Sequence, residues 1–451
     1  MSTIPKSSGK PLHKTQNILG ISLLLLSCAG YYYLGNGLIR SQFPELMVVM
    51  TVLCASYGVL SASQFNNTLI LGGAGLIFRI LQFSHLPELS DDYFRFLWDG
   101  RLWVSGTNPF LYLPSELLGR SDLPIGINEA LFARLNSPEY YTIYPPIAQF
   151  IYGLASWIFP DNDLGAVIVM RVFMVLGDVL AFVSLRSLLR HFRMSESLAF
   201  LYVLNPLVII EFSGNLHFEG LMMGFILAAL ALLVRKRWLL SAVLFALGVS
   251  TKLVPLLFLP FLIRHAGWRI SLTYFMVVAG VVLVLFTPFL TQPLIENFAS
   301  SLDLYFQRFE FNASMYYLFR ELGYLWKGYN VIQWLGPALS GVTFLVIMVW
   351  ALTGRFGTRD SELATAWMGA HTIYLLLATV VHPWYIGIGL ALMPLTRFRY
   401  VAVWSALSYL SYATYRTTDY IEDLNLVLIE YGIVFFALFW ELSRKRKRAL
   451  T

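Results

Sequence analysis

The 451-residue sequence contains few cysteines and few charged residues. Its two cysteines, Cys28 and Cys54, both fall in apolar stretches, so they indicate neither a disulfide framework nor a cysteine metal site. Only 13% of the residues are charged, whereas 57% are hydrophobic and the mean hydropathy is +0.65. This composition excludes a soluble globular protein of this length. The apolar runs are too long and continuous for barrel strands, so we expect an all-α polytopic membrane protein.

The hydrophobic pattern predicts a single domain over residues 1–451, built as a bundle of about 13–14 transmembrane helices. The first span is predicted to be retained rather than cleaved as a signal peptide. Three segments are short for a full crossing and are predicted to be tilted or packed inside the bundle: 238–250, 253–263 and 385–396. The remaining predicted spans are 18–34, 46–62, 68–83, 164–186, 197–213, 219–234, 270–289, 331–353, 363–381, 400–414 and 426–442.

The basic residues predict the orientation of these spans. If the apolar run 147–159 stays at the surface, 20 of the 32 lysines and arginines share one side with both termini. The positive-inside rule then makes that side cytoplasmic, in a bacterial inner membrane. Two long loops, 84–163 and 290–330, are left on the extracytoplasmic side. The first is predicted to hold amphipathic juxtamembrane helices, one of them being 147–159.

Adjacent carboxylates, Asp91 and Asp92, open a segment with helical periodicity just after an apolar span. Apolar residues occupy one face of this helix and polar residues the other, namely Phe94, Leu97, Trp98 and Leu102 against Asp92, Arg95 and Asp99. We expect an amphipathic helix on the membrane surface, with both acids near the bilayer. Charge is costly there and indicates function. The alternative is that Ser90 or Asp91 caps the helix and Asp92–Arg95 is a surface ion pair.

Further polar residues interrupt apolar segments on the same predicted side. Asn215, His217 and Glu219 break a hydrophobic hairpin, and Lys252 lies between two short apolar segments. His382 begins a His-Pro-Trp-Tyr motif that ends at Tyr385. Each residue taken alone is explained by a cap, a turn or an interfacial anchor. Together they predict a cavity that gathers carboxylates and cations at the outer leaflet, as a lipid-phosphate substrate requires.

The order of these motifs resembles GT-C superfamily glycosyltransferases, in particular bacterial mannosyltransferase-like members of glycosyltransferase family 87. The segments that carry the resemblance are 89–101, 106–110, 144–149, 214–219, 251–255, 311–317 and 382–385. Two features depart from the family. Its acids are often spaced Asp-x-Asp, whereas here they are adjacent, and two additional spans precede the motif's own span.

The resemblance implies an inverting transfer of one sugar, expected to be mannose, from a polyprenyl-phosphate donor to a lipid-linked or surface glycan. Asp91 or Asp92 would be the general base, and Lys252, Arg320 or His382 would stabilise the phosphate leaving group, with Arg79 and Arg171 as further candidate cations. The expected substrate-binding residues are Arg95, Asp99, Tyr144, Asn215, His217, Glu219, Lys252, Arg320, His382 and Tyr385. No metal site is assigned, although paired acids can also bind a divalent cation.

Two other function classes stay open. A transporter or flippase of polyprenyl-linked glycans would need charges along a path through the bundle, whereas most charges here collect on one face. A glycan polymerase or ligase would use a bulky lipid-linked glycan instead of a single sugar.

Overall fold

A computed structural model describes residues 10–62, 65, 67–120, 123–354 and 357–450. Lys6 and Arg355, which belong to the basic residues used for the predicted orientation, lie outside the described residues. The described part of the chain is all-α, and its only extended pairing is a parallel bridge between Phe311 and Val380. The predicted all-helical class is therefore confirmed.

The described residues form twenty α-helices. These are α1 (Lys10–Gly35), α2 (Phe43–Ala62), α3 (Thr68–Ile80), α4 (Asp92–Val104), α5 (Pro114–Leu117), α6 (Glu129–Phe132), α7 (Pro146–Ile158), α8 (Asp163–His191), α9 (Phe200–Val203), α10 (Glu219–Leu233), α11 (Trp238–Val249), α12 (Pro260–Ala266), α13 (Trp268–Phe286), α14 (Leu294–Arg308), α15 (Met315–Lys327), α16 (Ile332–Thr353), α17 (Asp360–Leu377), α18 (Gly387–Leu392), α19 (Tyr400–Leu407) and α20 (Leu424–Leu450). A π-helical turn spans Val208–Gly214, and short 3₁₀ turns span Glu196–Ala199, Val254–Phe258, Thr287–Phe289, Pro383–Ile386, Met393–Leu395 and Ser408–Arg416.

Six of these helices are long and apolar enough to cross a membrane, namely α1, α2, α8, α13, α16 and α20. A seventh candidate is the pair Glu196–Val203 and Val208–Gly214, which is bent by 60°. This is fewer than the 13–14 crossings predicted, because several predicted spans are interrupted. In 253–263, for example, a 3₁₀ turn is followed by α12, which begins at Pro260. A proline has no N–H to donate, so it ends one helical piece and starts the next.

The helix that follows the two acids is not a surface helix. Every residue of α4 from Tyr93 to Leu102 is buried, because α7 and the loop before it cover the side that was predicted to face water. The two helices approach closely at Gly100, where a Cβ atom would lie 2.3 Å from the Tyr152 carbonyl oxygen. The stacked rings of Phe96 and Tyr152, with centroids 4.6 Å apart, complete this contact. α7 therefore lies along α4.

Charged connections meet at two separate places in the bundle. Among residues predicted to be cytoplasmic, Arg190 pairs with Glu196 at 2.8 Å, and Lys236 and His265 both approach Asp360. Several of the connections predicted to face outwards meet around Asp91 and Asp92 instead. The alternation of loops inferred from the basic residues is thus consistent with the packing, and the side of the membrane that each set faces stays a prediction.

The second predicted outer loop joins the bundle through the segment before α15. The Phe311 N–H donates to the Thr379 carbonyl at 3.0 Å, and the Val381 N–H donates to the Phe311 carbonyl at 2.8 Å. The Phe311 ring lies 4.7 Å from the His382 ring. This short bridge fixes the backbone just before the His-Pro-Trp-Tyr motif.

Candidate active site

Asp91 immediately precedes α4 but does not cap it. Its side chain accepts no hydrogen bond from the helix backbone, and the Asp92 N–H donates instead to the Ser90 hydroxyl at 3.3 Å. The Asp91 carboxylate forms an ion pair with Arg40, from the connection between α1 and α2. The Arg40 guanidinium also lies over the Tyr415 ring, 4.6 Å from its centroid. Of the two caps considered, Asp91 is therefore wrong, whereas the Ser90 hydroxyl does accept a hydrogen bond at the start of α4.

The Asp92 side chain is directed towards polar side chains from other segments of the chain. Its carboxylate accepts a hydrogen bond from the Asn136 amide at 2.8 Å, and it lies 4.0 Å from Nδ1 of His217. Burial raises the pKa of Asp92 above the ordinary aspartate value, and the hydrogen bond from Asn136 and the charge of Lys252 act in the opposite direction. A carboxylate with a raised pKa and no ion pair is a better proton acceptor than a paired one.

The Asp92–Arg95 ion pair, expected as the alternative, is not formed. Arg95 instead pairs with Asp99 at 2.8 Å, and the two side chains are buried. Arg95 also donates to the carbonyls of Ser137 and Tyr140.

The two carbonyls that Arg95 binds lie in the same loop as Asn136, just after it in the chain. Gln149 donates to the other Asp99 oxygen at 3.0 Å, and Tyr144 packs edge-on against Phe96. Arg95, Asp99 and Tyr144 therefore hold this loop behind Asp92.

A π-helical turn, Val208–Gly214, places Glu211 next to His217. Asn215 follows the turn and donates to Glu211 at 3.0 Å, and the Leu216 backbone has a φ of 64°. Nε2 of His217 lies 3.5 Å from Glu211, and Tyr412 donates to the same carboxyl group at 3.0 Å. His217 thus lies between two carboxyl groups, with one ring nitrogen facing each.

Lys252 forms an ion pair with Glu219 beside this pair of carboxyl groups. Only 2% of the Glu219 side chain is exposed, compared with 20% of the Lys252 side chain. The Lys252 ammonium lies 5.9 Å from the centroid of the Tyr385 ring. While bound to Glu219, the positive charge of Lys252 also acts to lower the pKa of Asp92.

Trp384 joins two of the predicted motifs. Its ring is stacked between His217 at 3.6 Å and His382 at 4.2 Å, nearly parallel to both. Because both faces of Trp384 are covered by these rings, it connects the two loops and has no free face on which a sugar could stack.

The cluster formed by Arg40, Asp91, Asp92, Asn136, Glu211, His217, Glu219, Lys252 and His382 is called the Asp92 cluster below. Most of the predicted site residues lie in it or directly support it. Three cations proposed for the phosphate do not. Arg320 pairs with Glu310 and Glu321, Arg79 pairs with Asp178 at 2.6 Å, and Arg171 donates to the carbonyls of Ser213 and Gly214.

Three members of the Asp92 cluster were missed by the sequence analysis. Arg40 lies in a short connection with no neighbouring motif, Asn136 lies in an irregular loop, and Glu211 lies inside a predicted span. The only signal in the sequence was an acid within an apolar run, which applies to Glu211. Among the residues that the structure describes, no three His, Cys, Asp or Glu side chains are arranged to hold a metal ion.

Comparison with known proteins relates this site to sugar transfer. Residues 47–267 match a family model described as alpha-(1->6)-mannopyranosyltransferase, N-terminal domain. Alpha-(1->6)-mannopyranosyltransferase B of Corynebacterium glutamicum is 33% identical over 150 residues, which are 33% of this chain and 24% of that protein. Alpha-(1->6)-mannopyranosyltransferase A of Mycobacterium tuberculosis is 26% identical over 210 residues, which are 45% of this chain and 39% of that protein.

The matched region has clear limits. A second relative in Corynebacterium glutamicum, alpha-(1->6)-mannopyranosyltransferase A, is 24% identical over 178 residues, which cover 39% of this chain and 35% of that protein. The chain thus spans between 24% and 39% of the length of these curated relatives. The match begins after Arg40 and includes Asp91, Asp92, His217, Glu219 and Lys252. Over residues 47–267 the chain is therefore similar to alpha-(1->6)-mannopyranosyltransferases, and the predicted resemblance to a mannosyltransferase is confirmed.

Proposed function

We propose that this protein is an inverting mannosyltransferase that moves one sugar from a polyprenyl-phosphate donor to a lipid-linked or surface glycan on the extracytoplasmic face. The observation that carries the proposal is the Asp92 cluster, which gathers four acids and two cations from separate connections of a membrane bundle. The relatives' names supply the sugar, and the amphiphilic surroundings favour a lipid-linked donor.

Asp92 is the better candidate for the general base. The Asp91 carboxylate is already engaged in an ion pair with Arg40. Asp92 has no ion-pair partner among the described residues other than the neighbouring His217, and burial raises its pKa. Asp92 accepts the proton of the acceptor hydroxyl as its oxygen attacks the anomeric carbon. The bond from that carbon to the phosphate breaks, and the polyprenyl phosphate leaves with the electron pair.

The cations of the Asp92 cluster can also stabilise the negative charge that develops on the leaving phosphate. Negative charge grows on the phosphate as it leaves, and cations fixed in a partly buried site stabilise it more strongly than cations in water would. Arg40 and Lys252 are the two cations of the Asp92 cluster. A transporter would need charged groups along a path through the bundle. The buried residues Arg79 and Asp178 form no such path, because they pair with each other and Tyr202 donates to the other Asp178 oxygen at 2.8 Å. A transport role therefore has less support.

The proposal is tested by sugar transfer with purified protein in lipid nanodiscs. The donors are polyprenyl-phosphate mannose, polyprenyl-phosphate glucose and a nucleotide-linked mannose, each with and without a chelator. We expect transfer from polyprenyl-phosphate mannose with inversion at the anomeric carbon. Asp92→Asn is expected to lower the rate by about 10²–10⁴-fold, the usual contribution of a general base.

The matched control is Glu310→Gln, which removes an acid from the ion pair with Arg320 in the other long loop. This variant is expected to transfer sugar at close to the wild-type rate. Undiminished transfer by Asp92→Asn would refute the assigned base. Transfer from the nucleotide-linked sugar alone would refute the donor class.

A further inference from the structure

We infer that Arg40 is the ligand for the donor phosphate, and that Asp91 holds this arginine until the donor arrives and then releases it. The inference rests on the proposed function, because it needs a lipid-phosphate donor. It concerns a residue that precedes the region matched by the mannosyltransferase family model, which begins at residue 47. The connection between the two additional N-terminal helices would thus complete the site.

Arg40 is held in position by its own connection. Leu38 is fully buried, and the Ile39 N–H donates to the Gln42 side chain at 3.1 Å while the Gln42 N–H donates back to the Ile39 carbonyl at 3.0 Å. Behind the guanidinium, the Tyr415 ring provides a flat support. This short braced turn fixes the position of the positive charge at the edge of the Asp92 cluster.

The guanidinium has donors to spare. Its one described hydrogen bond runs from Nη2 to Asp91, so Nε and Nη1 make no hydrogen bond to the described residues. An arginine presents five N–H donors in a planar fork that matches a phosphate group, which an ammonium does not. Arg40 can therefore turn its fork to a phosphate with little movement of its side chain.

The two cations of the Asp92 cluster differ in what their release would cost. If Lys252 moved to a phosphate, it would leave Glu219, whose side chain is only 2% exposed, as an unpaired buried charge. If Arg40 moved, it would leave Asp91, whose side chain is 34% exposed and can be solvated. Exchange of partners is therefore cheaper at Arg40, and Lys252 stays with Glu219.

The geometry of an inverting displacement agrees with this division. The base and the leaving group lie on opposite faces of the sugar, so the group that binds phosphate and the group that accepts the proton should be separate. Arg40 contacts Asp91, whereas Asp92 contacts Asn136 and His217, so the two acids have separate partners. The adjacent acids thus have different tasks: Asp91 holds Arg40, and Asp92 accepts the proton.

The experiment measures the binding of a fluorescent short-chain polyprenyl phosphate, without sugar, to full-length protein in nanodiscs. Arg40→Gln is expected to weaken binding at least tenfold, and Arg40→Lys less, because it keeps the charge but loses the fork. Asp91→Asn is expected to tighten binding, because Arg40 is no longer held. In the double variant the gain from Asp91→Asn should be lost, since Asp91 acts through Arg40.

Arg416→Gln is the matched control. Arg416 is an arginine with an aromatic neighbour, Phe43, and an exposed partner, Asp423, so it resembles Arg40 without contacting Asp91. Its loss should leave binding unchanged. Arg40→Gln with wild-type affinity, or Asp91→Asn with weaker affinity, would overturn the inference, as would an undiminished gain in the double variant. If the wild type binds prenyl alcohol as well as prenyl phosphate, the proposed donor class fails, and the inference fails with it.

Discussion

The two long loops use amphipathic helices in opposite ways. In the first loop, α4 has a polar and an apolar face, and both faces are buried. In the second, α15 buries Tyr316, Tyr317 and Gly323 but leaves a stripe of apolar side chains exposed. That stripe contains Leu318, Leu322, Leu325 and Trp326. In a membrane protein such a stripe faces lipid.

The difference shows what periodicity does and does not report. A 3.6-residue repeat of apolar residues reveals that a helix has two unlike faces. It does not reveal whether the polar face meets water or a second layer of protein. In α4 the polar face packs against the loop ending at Tyr144, and its polar side chains form hydrogen bonds within the protein. This face therefore supports the Asp92 cluster. In α15 no such layer is present within the described residues.

The largest effect that would test this comparison is expected at Gly100. Alanine in a helix interior normally stabilises by up to about 1 kcal/mol relative to glycine. At Gly100 its Cβ would clash with the Tyr152 carbonyl, so Gly100→Ala should instead cost about 1–3 kcal/mol through overpacking. Thermal unfolding in detergent measures this. Gly72→Ala in α3, where a Cβ meets no atom within 4 Å, is the control and should not destabilise. Equal stability of the two variants would show that α4 and α7 are not tightly packed.

A smaller effect is expected from the loop that covers α4. Asn136 lowers the pKa of Asp92 through its hydrogen bond, so Asn136→Ala should raise that pKa further. Because the base acts as the carboxylate, transfer increases as pH rises through this pKa. The acid limb of the pH–rate profile should therefore move to higher pH.

The control for this pH shift is Asn128→Ala, which removes the side-chain N-cap of α6 within the same long loop, 84–163. It should leave the acid limb in place. A profile that stays fixed in Asn136→Ala, or moves to lower pH, would contradict the assignment of Asp92 as the base.

The smallest effect is expected on the lipid-facing side of α15. Leu325 is 85% exposed, so Leu325→Gln removes no packing within the protein. Exposed substitutions of this kind usually change stability by less than about 0.5 kcal/mol. We expect the transfer rate in nanodiscs to stay within about twofold of the wild type. A large loss would show that the second loop takes part in the reaction and is not merely an anchor.

The helical class and much of the site could be predicted from the sequence, because both depend on contrast with apolar surroundings. Lys252, His217 and Glu219 are recognisable as polar residues interrupting hydrophobic runs. Their common predicted side then brings them together. The bundle follows from the same property, since spans are long apolar runs.

The remainder depends on tertiary contacts that leave no local pattern. Arg40 pairs with a residue 51 positions away, and Asn136 with one 44 positions away. Neither residue is unusual in its own segment. The different roles proposed for Asp91 and Asp92 likewise rest on the partner that each side chain has in the fold. Breaks within predicted spans, as at Pro260, were visible as prolines, but their effect on the number of crossings was not.

The bridge between Phe311 and Val380 has a practical consequence for locating the protein in its membrane. Reporter tags that reveal membrane sidedness must be inserted where the chain tolerates extra residues. Between residues 311 and 314 an insertion would pull on the backbone that carries His382. After Lys327, by contrast, Gly328 already ends the helix in an exposed left-handed turn with a φ of 78°. A tag placed there would report which compartment the second loop faces while leaving the Asp92 cluster intact.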